Sequence, residues 1–302
     1  MQGRKGTSRT AAESADTPAG LLLALAAYLL WSANPLYFRL LEGVSPLEVT
    51  AHRAFWSLPT TALLLLAGGG MGRALAVAGD GAVRNRLVLS ALFIGLNWGV
   101  FVWGVEAGRT LEVSLGYFIN PLMNVAVGFV LLGERFSRLQ VVAIALAVLA
   151  VLWLVVSAGV FPWLALVLAV SFTAYSYLRK QIAVGPVDGL FVESAVLSVV
   201  FAVVLGGWLW QGGRAAFAHD GWHTWLLALT GPVTVAPLVL FAGAARRIRL
   251  STLGLMQYIA PTGMFLTAVF IFGEPLDMKL LTAFVLIWIA LVIYAIDTLR
   301  RR

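Results

Sequence analysis

A shift of 140 residues lays this chain on itself. Leu115, Ile119, Pro121, Gly133 and Glu134 fall on Leu255, Ile259, Pro261, Gly273 and Glu274. The same shift puts Tyr37 on Tyr177, Arg39 on Arg179, Pro46 on Pro186, Glu48 on Asp188 and Arg109 on Arg249. Only 5 of the 24 pairs from 111/251 to 134/274 are identical, so the signal lies in proline, glycine and charge recurring at fixed places. Fixed internal repeats in a membrane chain point to a secondary transporter.

The chain is a membrane chain by composition. Of its 302 residues, 61% are hydrophobic and 12% charged, about half the charged share of a soluble domain. A helix crossing the bilayer needs roughly 20 apolar residues. Segments of that kind cover 19–41, 47–67, 87–106, 111–132, 139–157, 161–178, 189–210, 222–244, 251–272 and 280–298. The expectation is an all-α integral membrane protein of ten transmembrane helices, in two inverted five-helix repeats at 19–157 and 161–298. Residues 1–18 read as a disordered cytoplasmic tail, and 299–302 as a short basic one. The apolar run at 19–41 is longer than the core of a secretory signal, so it reads as a retained span. The polar remainder leaves no room for a separate nucleotide-binding or catalytic module. There is no cysteine, which excludes disulfides and thiolate chemistry.

The formal charge of +7 reads as topology and not as nucleic-acid binding. With the N-terminus in the cytoplasm, 16 of the 21 Lys and Arg fall on the inner side and 4 on the outer side, with Arg53 inside a span. The positive-inside rule then places both termini in the cytoplasm, in a cytoplasmic (inner) membrane. Five spans per repeat is an odd number, so the second copy runs opposite to the first. The charges agree: Arg39 and Arg109 fall outside, Arg179 and Arg249 inside. Two units related in this way give inward-open and outward-open forms similar energies, the basis of alternating access.

Several stretches resemble the RarD-type branch of the EamA family, in the drug/metabolite transporter superfamily. They are Gly43-Val-Ser-Pro-Leu-Glu48 with His52-Arg53 following, Leu96-Asn-Trp98, and Gly104-Val-Glu-Ala-Gly-Arg109. The longest is Ser114-Leu-Gly-Tyr-Phe-Ile-Asn-Pro-Leu122, followed by Gly133-Glu-Arg135 and Leu139-Gln140. The resemblance runs from about residue 19 to 298. It implies two EamA repeats of ten helices in all and transport of small metabolites or drugs, often outward. The branch takes its name from chloramphenicol sensitivity, which does not make chloramphenicol the substrate here.

An ionisable group inside a span is by default a functional candidate. His52, Arg53 and Glu193 are such groups, and Arg53 falls on Glu193 under the repeat shift. They are not expected to pair directly. Each lies about 9 Å into its span at 1.5 Å per residue, from opposite sides of a core about 30 Å thick. Nearer partners for Arg53 are Glu48, Glu106 and Glu112. Asp188, Arg179, Lys180 and the Arg246–Arg249 cluster share the inner side with Glu193. Coupling or gate candidates are therefore His52, Arg53, Glu193, Glu48, Asp188, Arg39 and Arg179, against the plainer reading of headgroup anchors. A desolvated carboxylate can take up a proton and an arginine cannot, so Glu193 is the candidate for proton coupling.

Substrate-contact candidates are uncharged and deeper: Asn97, Trp98, Asn120, Asn124, Gln257 and Tyr258. Pro121 and Pro261 free backbone carbonyls nearby, and a site at the repeat interface near the midplane is the expectation. The plainer reading is interhelical hydrogen bonding at ~1 kcal/mol per contact. Trp31 and Trp103 are further stacking candidates. Gly95/Gly99 and Gly104/Gly108 read as packing, Glu134 and Glu274 as structural caps or salt-bridge partners. One central cavity lined by spans one to four and six to nine is expected, with spans five and ten peripheral. The implied partners are a small-molecule substrate and membrane lipid, with proton coupling as a candidate, and neither a cofactor nor nucleic acid. The alternatives are a facilitative channel, a non-transporting scaffold or a membrane-embedded enzyme. The last lacks a Gly-x-Ser-x-Gly or His-Glu-x-x-His motif.

Overall fold

The computed structural model describes residues 16–159, 161–219 and 221–300. The tail expected at 1–18 lies almost wholly outside the described residues, as does half of 299–302. In chain order the helices are α1 (Pro18–Ser32), α2 (Asn34–Arg39), α3 (Pro46–Ala67), α4 (Met71–Gly79), α5 (Gly81–Glu106), α6 (Thr110–Leu132), α7 (Arg138–Ala158), α8 (Trp163–Gln181), α9 (Pro186–Trp210), α10 (Gly221–Ala245), α11 (Leu250–Met256), α12 (Ile259–Leu266) and α13 (Met278–Arg300). A π-helical turn, Thr267–Ile271, extends α12.

Local chemistry sets many of the boundaries. Thr17 and Ser45 accept from the first-turn N–H groups of Gly20 and Leu47, each just ahead of a proline that starts the helix. Asp80 accepts from Ala82 and Val83, and Ser137 with Gln140 forms a reciprocal capping box for α7. These caps satisfy donors that have no partner inside the helix.

Among the described residues, eight helical stretches are long and apolar enough to cross a membrane, including Pro18–Arg39 (α1 with α2) and Leu250–Ile271 (α11 with α12 and the π turn). The other six are α5, α6, α7, α9, α10 and α13. The other two segments expected to span, 47–67 and 161–178, fold as helices α3 and α8, of 22 and 19 residues, which are more polar. The reason lies in their position. α3 packs between α9 and α10, and α8 against α5 and α6, so their polar faces meet protein. Buried polar groups on them include Glu48, Thr50, His52, Thr61, Ser171, Thr173 and Arg179. Where protein surrounds a helix, its polar groups find partners and lipid does not select against them.

α7 and α13 pack on one another at the edge of the bundle. Side-chain contacts also define its two ends. At one, which we call the basic face, Arg73 meets Asp188, Lys180 meets the end of α10, and Arg249 meets Asp16. At the opposite face Glu48 holds the 216–217 loop and Arg109 pairs with Glu112.

The two prolines expected to break their helices act differently. α6 runs unbroken through Pro121. Its repeat mate is interrupted at Gln257 and Tyr258, ahead of Pro261.

Candidate functional site

A cavity of about 510 Å³ lies among α1, α2, α3, α5, α6, α8, α10 and α12, with Gln257 between α11 and α12 also lining it, within the size range of small-molecule sites. Its lining includes Leu41, Val44 and Pro46 towards the opposite face, and Leu238 and Ala260. No lining residue lies within six positions of a helix end at the basic face. Spans five and ten contribute nothing to it, as expected. Span seven, expected to line it, does not: α9 is packed against α3 and α5, and these two present Arg53 and Trp98 to the cavity instead.

The substrate-contact candidates divide. Asn97, Trp98, Asn120 and Gln257 line the cavity. Asn124 does not; it is fully buried behind Gln257, donating to Gln257 Oε1 at 3.2 Å. Tyr258 also turns away, donating its hydroxyl to the Phe118 carbonyl at 2.9 Å. Trp31 lines the cavity, whereas Trp103 is half-exposed against Trp163. Gly104 does pack closely, since a Cβ there would stand 2.5 Å from Val113 Cγ2, but Gly99 and Gly108 have open space.

Arg53 is the one charged side chain among the described lining residues. Its Nε donates to Thr234 Oγ1 at 3.1 Å, and its guanidinium sits 4.5 Å over the Trp98 ring and 5.7 Å over Phe38. None of the carboxylates expected nearby pairs with it. Glu48 accepts from the Ala216 and Phe217 N–H groups, Glu106 accepts from Ser45, and Glu112 pairs with Arg109 at 2.7 Å. His52 stacks on Phe217 and its Nδ1 accepts from Trp56 Nε1 at 3.2 Å. Glu48 and His52 thus pin the 211–219 loop and stand outside the cavity. Arg39 is exposed, 4.5 Å over Phe272.

The basic-face end of the bundle, which the cavity lining does not reach, carries its own set of contacts. Glu193 Oε1 accepts from Ser90 at 2.6 Å and lies 3.5 Å from Arg179 Nη1, both charged groups being fully buried. Asp188 pairs with Arg73 at 3.1 Å. Glu134 Oε1 accepts from the Leu250 N–H at 2.6 Å and Oε2 from the Ser251 N–H at 3.0 Å. That carboxylate caps α11, where two otherwise unpaired donors and the positive helix end favour an anion. Gly128 makes room for it, since a Cβ there would stand 2.6 Å from Glu134 Oε2.

Sequence reasoning did not single out Tyr117, Phe172, Asn34 or Thr234. Asn34 carried a usable signal, because Asn34-Pro35 repeats the Asn120-Pro121 pair and both asparagines line the cavity. Among the described residues, no three metal-ligating side chains gather into a group.

Residues 18–156 match the EamA-like transporter family. An uncharacterized transporter of Vibrio cholerae serotype O1 is 41% identical over 286 residues, 94% of each chain. Protein RarD of Streptomyces exfoliatus is 43% identical over 284 residues, 93% of this chain and 89% of that one. A solved crystal structure superposes with a TM-score of 0.75 at 20% identity, covering 94% of this chain and 99% of that one, a likeness of fold. The chain is thus an integral membrane protein of the RarD-type branch of the EamA family, in the drug/metabolite transporter superfamily, whose members are membrane transporters and not enzymes.

Proposed function

We propose that this protein is a secondary active transporter of a small molecule, exporting it across the cytoplasmic membrane by alternating access. Its ten spans form two inverted repeats, 19–157 and 161–298. The observation that carries the reading is an unequal pair of caps. Glu134 holds the start of α11 at the basic face. Its repeat mate Glu274 is exposed and, among the described residues, its carboxylate takes no hydrogen bond or ion pair. Under the repeat shift the start of α11, Leu250 and Ser251, corresponds to Thr110 and Leu111 at the start of α6. The form open at the basic face arises when Glu134 releases α11 and Glu274 takes the start of α6. In the form described here the cavity reaches the opposite face, and the basic face is sealed.

Two further contacts support the pseudo-symmetry. Tyr258 donates to Phe118, its own repeat mate, as residues on a two-fold axis do. Glu48 holds the loop after α9 while its mate Asp188 holds Arg73 of α4, after α3, so each repeat holds the connection that follows the second span of the other. Export is the direction the family resemblance favours. A continuously open channel is disfavoured because these contacts interrupt the path.

The basic face, with both termini, is cytoplasmic in this reading. A topology reporter fused at Arg302 should be active only in its cytoplasmic form. The chain has no cysteine, so Val105→Cys, in the cavity wall, gives a single label site. It should react with an impermeant maleimide added outside intact cells. Periplasmic reporter activity, or labelling of Val105→Cys from the cytoplasmic side alone, would overturn the orientation. Metabolite profiling of cells with and without the protein, followed by uptake into proteoliposomes, tests transport itself. Loss of solute accumulation when the proton gradient is collapsed separates a coupled transporter from a channel.

Glu193 is the proton-coupling site in this reading. Its Oε2 is buried without a partner, and a proton there would discharge the carboxylate that faces Arg179. Glu193→Gln should leave substrate exchange intact and remove accumulation driven by a pH gradient. Normal accumulation by that variant would leave Glu193 a packing residue.

A further inference from the structure

The geometry points to a small organic monoanion, a carboxylate on an apolar or aromatic body, as the ligand of the Arg53 cavity. This deepens the transport reading and rests on it only for the step across the membrane. Two arginines sit in the helices close to buried groups: Arg53 within α3 and Arg179 in the last turn of α8. Arg179 faces a carboxylate at 3.5 Å. Arg53 has none within ion-pair distance among the described residues, and of the two it is Arg53 that lines the cavity. A guanidinium stays protonated at any physiological pH. Its charge in a largely apolar enclosure is unfavourable until a counter-ion arrives. Trp98 and Thr234 hold one face and one N–H, leaving the paired terminal N–H groups, the fork that matches a carboxylate, without an acceptor among the described residues.

The neutral groups repeat the bias. Asn120 Oδ1 accepts from Thr173 at 3.0 Å, and Gln257 Oε1 accepts from Asn124 at 3.2 Å. Both acceptor ends are therefore used in the wall, and both side chains have NH₂ groups left for the cavity. Asn97 is the reverse, its Nδ2 bonded to the Leu168 carbonyl and Ser171, which leaves its Oδ1. The lining thus offers donors from Arg53, Asn120 and Gln257 against an acceptor from Asn97. Trp31, Phe101, Tyr117 and Phe172 supply aromatic wall for the ligand body. A cation would meet Arg53 with no acidic group among the described lining residues to offset it.

Three probes of one shape separate charge from shape: 2-naphthoate, 2-naphthamide and 2-naphthamidinium. Each is titrated calorimetrically into the full chain purified in a zwitterionic detergent. Wild type should bind the carboxylate at least about tenfold more tightly than the amide, the factor a charge-assisted bond commonly adds, and the amidinium most weakly. Arg53→Gln should lose the preference for the carboxylate. Asn120→Asp keeps an oxygen for Thr173 while adding a negative charge to the cavity, and it should turn the preference towards the amidinium. That variant preserves the test if Arg53→Gln does not fold. Equal or tighter binding of the amide or amidinium by wild type overturns the proposal, as does an unchanged carboxylate preference in either variant. The titration requires no flux. Selective binding without uptake into proteoliposomes would therefore sustain this assignment and defeat the transport reading, while uptake of neutral solutes with no carboxylate preference would do the reverse.

Discussion

Glu134→Ala is expected to unseal the basic face. The change removes the acceptor of two buried N–H groups at the start of α11, and an unsatisfied buried donor costs about 1–3 kcal/mol. If both groups are left unpaired, the balance between the two forms shifts by about 2 kcal/mol or more, some thirty-fold in population. Ser251 is fully buried, so Ser251→Cys reports this directly. With Glu134 intact it should resist maleimide applied to the basic face in inside-out vesicles. With Glu134→Ala its labelling rate should rise at least about tenfold, in keeping with that shift, and transport should fall because one form dominates. Gly128→Val should act in the same direction without removing the carboxylate, since its side chain would occupy the place of Glu134 Oε2. Equal labelling of Ser251→Cys in all three backgrounds would show that the cap does not hold the face shut.

Gly231→Val is expected to damage folding more than any other single change considered for this protein. α10 crosses α3 so closely at Gly231 that a Cβ would stand 2.3 Å from the Trp56 carbonyl oxygen and 2.4 Å from its carbon. Those are backbone atoms and cannot swing aside. Small residues allow such approach between membrane helices, and overpacking commonly costs about 1–3 kcal/mol. The rigid contact here puts the penalty at the top of that range. A fall in Tm of roughly 5–10 °C is expected in a detergent unfolding assay, with loss of the Arg53–Thr234 bond about one turn along α10. Gly99→Ala has nothing within 4 Å and should leave Tm unchanged. A Gly231→Val protein as stable as wild type would mean that α3 and α10 can separate without consequence.

The membrane character, the places of the helices and the family were legible in the sequence because they rest on local properties. Some twenty consecutive apolar residues exclude any state but a span wherever they occur, and the Ser, Thr and Asp caps act within three residues. The singling out of Arg53 was local too, since a charge inside a span is costly whatever surrounds it. Its partners were not local. Glu48, Glu106 and Glu112 lie at suitable depth for Arg53, but each is taken by a group elsewhere: the 216–217 loop, Ser45 and Arg109. Similarly, Asn124 and Asn120 are four apart on one helix. Which of them meets the cavity was decided by Gln257, just past the end of α11, covering Asn124. The α11 cap joins residues 116 positions apart. Sequence periodicity thus says which groups are buried and on which helix. What each buried group meets depends on how distant helices cross. Here that packing left Arg53 without a carboxylate among the described residues and gave Glu134 a helix end to hold.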